Sequence, residues 1–251
     1  MSTDHMPTDL SRRVVIGAVA VGVAALGTGS GAQVRPANAE TIAIIGTGNV
    51  GGTLGKRWAA LGHAITYGSR APDSDKVKQL VEDTGLNARA TTQADAVKGA
   101  SVVLLAAPSQ MALDIVNGLG DLSGKLVIDA MNAMSFKDGA MIEPDDALGL
   151  AARIQAAAPE AAVIKAFNTT TTRIMADPKI SGGPVSLPIA GGDASARARV
   201  SALAAPLGFE VVDMGGSEAL KQVEHLGRIY VAYAVKHRPQ RLEFHLRTWK
   251  A

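Results

Sequence analysis

Gly46-Thr47-Gly48-Asn49-Val50-Gly51 has the spacing G-x-G-x-x-G, and its neighbours decide what that spacing can do. A β-branched run, Thr41 to Ile45, leads directly into it, and a helical pattern from Val50 to Leu61 leaves it. In that setting the first glycine allows a tight turn and the second lets backbone approach a pyrophosphate. The third lets the helix pack closely on the strand. The amides of Thr47 to Val50 would then face phosphate oxygens, with the helix dipole behind them. An ordinary Gly-rich turn is the bland alternative in a chain with 27 glycines, but the strand before and the helix after favour a dinucleotide site.

The end of the next strand narrows the choice of dinucleotide. A chain selecting NAD usually has Asp or Glu about 20 residues after the glycines, accepting the ribose 2′-OH. Here that place holds Tyr67-Gly68-Ser69-Arg70. A carboxylate would repel a 2′-phosphate, whereas the Ser69 hydroxyl can donate to it and the Arg70 guanidinium can pair with it. The spacing therefore predicts NADP. Lys76 and Lys78, one turn into the following helix, could add charge or form a solvated face.

Further positions follow from where ligands sit in open α/β sheets, outside the carboxyl ends of the strands. Ala106, Ala107 and Pro108 end one apolar run, and their small side chains would let a ribose and nicotinamide lie across the sheet. Asn168 and Thr169 end another run and could hold a carboxamide, although Asn, Pro and Thr are also turn formers. Met131, Met134 and Met141 fall near the same end, either as core filling or as an adaptable apolar wall. Histidine offers little: His63 lies at the start of a strand, and His225 sits in Glu224-His225-Leu226 on a helix. No metal-ligand spacing, G-x-S-x-G or H-E-x-x-H occurs, and the pair Asp145-Asp146 reads as solvated. No general acid or base stands out. Hydride transfer between two flat cofactors needs none, because the protein's task is to stack them and exclude water.

The elements that must position these residues alternate short apolar runs with helical patterns, the signature of βαβ units and a parallel sheet. Strands are expected at Thr41 to Ile45, Ala64 to Tyr67, Ala88 to Ala90, Val102 to Ala107, Leu126 to Ala130, Ala162 to Phe167, Val185 to Ala190 and Glu210 to Val212. The run at 102 is apolar throughout and the run at 126 is apolar but for Asp129, as central strands buried on two faces should be. Residues 135–146 read as a surface loop, and a last helix is expected from Ser217 to Val235. No repeat or linker divides residues 40–251, which read as one doubly wound domain.

Composition removes most other functions. Of 251 residues 47% are hydrophobic, 19% charged and 4% aromatic, which excludes a disordered chain and a coiled coil. The formal charge of +2 leaves no field to steer the chain toward nucleic acid. Cysteine is absent, so disulfides, thiolate nucleophiles and cysteine-ligated clusters are excluded. The first 39 residues read as an address. Arg12-Arg13 precedes an uncharged run from Val14 to Gly31, and Ala37-Asn38-Ala39 fits a cleavage site before Glu40. The arginine pair resembles a twin-arginine signal, predicting export to the periplasm, cleavage and no lasting membrane insertion. A cytoplasmic location follows instead if the true start lies further along.

Ile44-Ile45 with the glycine turn, Tyr67 to Arg70, Val103 to Pro108, Lys165-Ala166-Phe167-Asn168-Thr169 and Ala190-Gly191-Gly192-Asp193 occur in this order. Together they resemble the coenzyme F420 (deazaflavin) dependent NADP reductases over most of residues 41–235. The resemblance implies a Rossmann-like, mostly parallel sheet with a short C-terminal extension and NADP at Thr47 to Val50, Ser69 and Arg70. It also implies a deazaflavin, flavin or similar small acceptor and frequently a homodimer. Ferric-reductase domains share these motifs. The leader departs from the family, whose typical members are cytoplasmic, and 135–146 and 236–251 match no family segment. Two other readings stand beside hydride transfer to a flavin-like acceptor: an imine or pyrroline-type reductase, which needs a proton donor, and an NADP-binding protein without turnover.

Overall fold

Strands apolar on both faces must be covered from both sides, so helices are expected above and below the central sheet. The computed structural model describes residues 39–249 except 86, 139, 143–147, 238, 239, 241 and 248. The leader expected over residues 1–39 lies, but for Ala39, outside the described residues.

In chain order the elements are β1 Thr41–Ile45, α1 Asn49–Ala60, β2 Ala64–Gly68, α2 Asp75–Thr84, β3 Ala88–Thr91 and α3 Gln93–Lys98. There follow β4 Val102–Leu105, α4 Ala112–Gly118, β5 Leu126–Asp129, β6 Ser135–Lys137, β7 Ala140–Ile142 and α5 Leu150–Ala157. The chain continues through β8 Ala162–Lys165, α6 Thr172–Ala176, β9 Val185–Gly191, α7 Ala194–Ala204, β10 Phe209–Asp213 and α8 Leu220–Lys236. Eight strands form one sheet in the order β3-β2-β1-β4-β5-β8-β9-β10. The first six run parallel, β9 runs against β8, and β10 is parallel to β9. Strand order reverses between β1 and β4, which opens a crevice at the carboxyl edge.

Side-chain alternation divides each central strand between two cores. Ile42 and Ile44 of β1, with Val102 and Leu104 of β4, join Leu54 and Trp58 of α1 on one face. Ala43, Ile45, Val103 and Leu105 face the other side, against Val116 of α4 and Ile154 of α5. Edge-to-face contacts run from Trp58 to Phe167 and on to Phe209, with ring centroids 5.9 and 5.8 Å apart. The Trp58 indole also donates to the Leu203 carbonyl at 3.0 Å. As the apolar runs predict, every residue of β4 and β5 is buried.

Two regions differ from expectation. Within 135–146, Ser135–Lys137 and Ala140–Ile142 pair as an antiparallel hairpin, with Asp138 at φ +52° in its turn. Three-residue strands are too short to show a period-two pattern, and only the Asp138-Gly139 dipeptide signals them in sequence. The last helix starts later than expected, because a single 3-10 turn covers Ser217–Ala219. The tail is also engaged. β8 meets β9 only near Lys165 and Ala190, and further along β9 the Ser186 amide donates to the Phe244 carbonyl at 2.8 Å. Leu246 N donates to Ser186 Oγ at 2.8 Å, and Arg247 pairs with Glu210 of β10 at 2.7 Å.

Candidate functional site

A groove of about 370 Å³ opens at the carboxyl edge, over the ends of β1, β2 and β4. Its floor is set by glycine geometry. Gly46 has φ +124°, and a Cβ there would lie 2.3 Å from the Ala106 carbonyl oxygen, so the turn presses directly on the end of β4. A Cβ on Gly51 would lie 2.1 Å from the Gly46 oxygen and 2.8 Å from Ile44 Cγ2, which is the close helix–strand packing its motif position demands. Gly48 is the contrast: nothing lies within 4 Å of where its Cβ would be. It is also the N-cap of α1, whose first turn no side chain caps, so amide donors stand beside open space.

Gly46, Thr47 and Gly48 line the groove, while Asn49, Val50 and Gly51 open the helix behind it. Ser69 and Arg70 line the β2 side. The Ser69 amide is fixed to the Thr91 carbonyl at 2.9 Å, and its Oγ accepts from Ala71 N at 3.1 Å. That leaves the hydroxyl proton available to a ligand, while exposed Arg70 stands at the rim. Lys76 lines the same groove and Lys78 does not. Ala106, Ala107 and Pro108 form the opposite wall with Met111 and Ile115. Sequence reasoning missed Met111, Ile115 and Gln93. Gln93 arrives because Gly68 lets α3 approach: a Cβ at Gly68 would lie 3.1 Å from Gln93 Cα.

Asn168 does not reach this groove. It is 1% exposed, and its amide nitrogen donates to the Val223 carbonyl at 3.0 Å and to Asn132 Oδ1 at 3.3 Å. Asn132 Nδ2 donates back to the Asn168 carbonyl at 2.8 Å. Gly227 of α8 packs on this pair, since a Cβ there would lie 2.3 Å from Asn132 Oδ1. Asn168 Oδ1 and the hydroxyl of buried Thr169 have no hydrogen-bond partner.

A second pocket of about 350 Å³ lies on the other side of the segment carrying Met111 and Ile115. One wall is Ser109, Gln110, Leu113 and Asp114, another is Ala133, Met134 and Ser135, and a third is Leu150 and Arg153 of α5. Gln110 donates to the Met134 carbonyl at 3.2 Å. Of the three methionines near the cleft, Met134 lines this pocket, Met131 is buried in the core and Met141 lies in β7.

Charge is buried close by. Lys165 Nζ lies 2.8 Å from Asp129 Oδ2 and 2.6 Å from the Met131 carbonyl, with Glu224 Oε1 at 3.6 Å. Burial pushes the Asp129 carboxyl above its ordinary value, opposed by the Lys165 ammonium. Among the described residues the histidines stay away from both cavities: His63 accepts from Glu40 N at the opposite edge, and His225 is exposed. Among the described residues no group of three or more acidic or histidine side chains could hold a metal ion, and no helix is long and apolar enough to cross a membrane.

With this geometry established, the relatives are informative. Residues 41–133 match the family model described as NADP oxidoreductase, coenzyme F420-dependent. A structure from Arthrobacter sp. FB24, provisionally assigned as an F420-dependent NADP reductase, is 29% identical with a TM-score of 0.71, covering 77% of this chain and 93% of that one. The hypothetical protein SMa0349 from Sinorhizobium meliloti is 34% identical with a TM-score of 0.61, covering 72% of this chain and 87% of that one. Metalloreductase STEAP3 of Rattus norvegicus is 28% identical over 197 residues, 78% of this chain, and the chain spans only 38% of the rat protein's length. Residues 41–133 therefore carry the domain described as NADP oxidoreductase, coenzyme F420-dependent.

Proposed function

We propose that the groove binds NADP(H) and that the chain transfers a hydride between it and a flat acceptor, a deazaflavin or a flavin, seated in the second pocket. The observation that carries this reading is the convergence of Gly46 to Gly48, Ser69, Arg70 and Lys76 on one groove at the point where strand order reverses. The groove fits the group. The space beside Gly48 matches a pyrophosphate, and a hydroxyl donor with two cations matches a 2′-phosphate better than a ribose hydroxyl.

When bound, the nicotinamide supplies the hydride chemistry. The α1 amides would hold the pyrophosphate, and Ser69, Arg70 and Lys76 would anchor the phosphorylated ribose. Ala106 and Ala107 leave room for the rest of the dinucleotide to cross β4, and Met111 and Ile115 exclude water along that wall. Leu113, Met134 and Leu150 give the second pocket apolar surface for a ring system. Export by a route for folded proteins, as residues 1–39 suggest, would let the chain acquire its nucleotide before translocation.

Calorimetry with NADPH and NADH, followed by mixing the NADPH complex with oxidised coenzyme F420 or FMN, tests the proposal. NADPH should bind at least tenfold more tightly than NADH, as one charge-assisted contact is worth at least that much. NADPH absorbance should then fall on adding an acceptor. No heat with NADPH would overturn the whole reading, and binding without turnover would make the chain a nucleotide-binding protein.

A further inference from the structure

Lys165, Asp129 and Glu224 touch neither cavity, yet what they hold decides the shape of one. Asp129 Oδ1 accepts from Met131 N at 2.9 Å, and Lys165 Nζ donates to the Met131 carbonyl at 2.6 Å. The two charges therefore grip both polar atoms of a single peptide residue, from which the chain runs straight to Ala133 and Met134 in the second pocket. Glu224 grips the facing wall. Its Oε2 accepts from Leu150 N at 3.1 Å and its Oε1 from Ala151 N at 2.8 Å, capping the first turn of α5, which brings Leu150 and Arg153 to the pocket. Gly149, at φ +83°, makes this approach feasible, because a Cβ there would lie 2.6 Å from Glu224 Oε2.

Lys165 joins the two grips, 2.8 Å from Asp129 and 3.6 Å from Glu224. All three side chains are buried, at 0%, 0% and 4% exposure. Buried charges held in place are costly to displace, so the peptide groups they bind are fixed as firmly as the charges. By contrast, the residues quoted for the nucleotide groove hang on backbone packing around Gly46, Gly51 and Gly68, and none of their hydrogen bonds involves this trio.

We infer that Asp129, Lys165 and Glu224 are positioning residues for the second pocket, one cation setting the distance between its β5 wall and its α5 wall. For turnover this rests on that pocket being the acceptor site; the clamping itself does not. It follows that acceptor recognition and nucleotide recognition are separable by mutation, although both lie on one sheet edge.

Two isosteric variants of the full chain test this, Glu224→Gln and Asp129→Asn, each leaving Lys165 one carboxylate. Backbone hydrogen exchange, NADPH affinity by calorimetry, and steady-state kinetics with oxidised coenzyme F420 or FMN would be measured. Glu224→Gln should speed exchange of Leu150 and Ala151 by about tenfold, the effect of losing a charge-assisted bond, with Met131 unmoved. Asp129→Asn should do the reverse. In both, acceptor KM should rise by about tenfold while NADPH Kd stays within about twofold and kcat changes less than KM. Equal losses of NADPH and acceptor affinity, or faster exchange spread evenly over the sheet, would reduce the trio to general stability and overturn the inference. If neither acceptor is reduced by the unmutated chain, the acceptor reading fails alone, and the exchange pattern still decides the clamp.

Discussion

The two cavities are built by different means. The nucleotide groove is shaped by what is missing: side chains absent at Gly46, Gly51 and Gly68 let backbone and helices close in, and space remains beside Gly48. The second pocket is shaped by what is present, charged groups from β8 and α8 gripping backbone 34 to 74 residues away in sequence, with Asp129 of β5 binding both Lys165 and Met131 N. A site made by local backbone geometry survives changes elsewhere in the chain but tolerates no added atom. One made by distant side chains has the opposite sensitivity.

Substituting within the glycine turn should break this comparison most sharply. Gly51→Ala places a Cβ where the Gly46 oxygen lies 2.1 Å away, so α1 must move off β1. The cost should be about 3 kcal/mol, the upper end for overpacking, or roughly 6–12 °C in melting temperature. Gly48→Ala adds the same methyl to empty space at φ −87°, which alanine accepts. Its melting temperature should stay within about 2 °C, the shift for well under 1 kcal/mol, while NADPH affinity falls at least tenfold. Equal melting temperatures for the two variants would show that the turn is not packed as described.

Arg70→Ala sharpens the other side of the groove. Losing a charge-assisted bond should cost about 1.5–3 kcal/mol of NADPH affinity with NADH binding nearly unchanged. Calorimetry showing equal losses for both nucleotides would assign Arg70 elsewhere.

The smallest effect belongs to the tail. Glu243 accepts from Thr170 Oγ1 at 3.3 Å and from the Tyr230 hydroxyl at 3.4 Å, and burial outweighs these bonds, raising its carboxyl to about 7. An acid with a raised folded-state value is favoured protonated, so stability is intact below about pH 4.5, the ordinary value, and declines as pH rises to about 7. Between pH 5 and pH 8 the melting temperature should drop more for the unmutated chain than for Glu243→Gln. Parallel drops would place Glu243 in solvent.

Legibility followed the same division. The glycine turn, Ser69 and Arg70 could be read because each motif is contiguous and stands at a strand end. Lys76 was half legible, since only the groove distinguishes it from Lys78. Gln93, Met111 and Ile115 carry no local signal, and Asn168, legible as a turn residue at a strand end, proved to be held by Asn132 and α8. Glu224 drew notice in sequence only as a neighbour of His225. Its role emerged because the helical repeat turns adjacent residues to different faces, burying one and exposing the other.

By itself the sequence determined the alternation of strands and helices, the doubly wound sheet and the glycine turn that lines the groove, because these depend on residues adjacent in the chain. Tertiary structure alone decided which cation enters the groove, which asparagine is sealed away and which three charges meet beneath the second pocket. Such encounters depend on the angle at which α8 and α5 pack on the sheet, which is settled by the sum of many contacts and is written in no single segment.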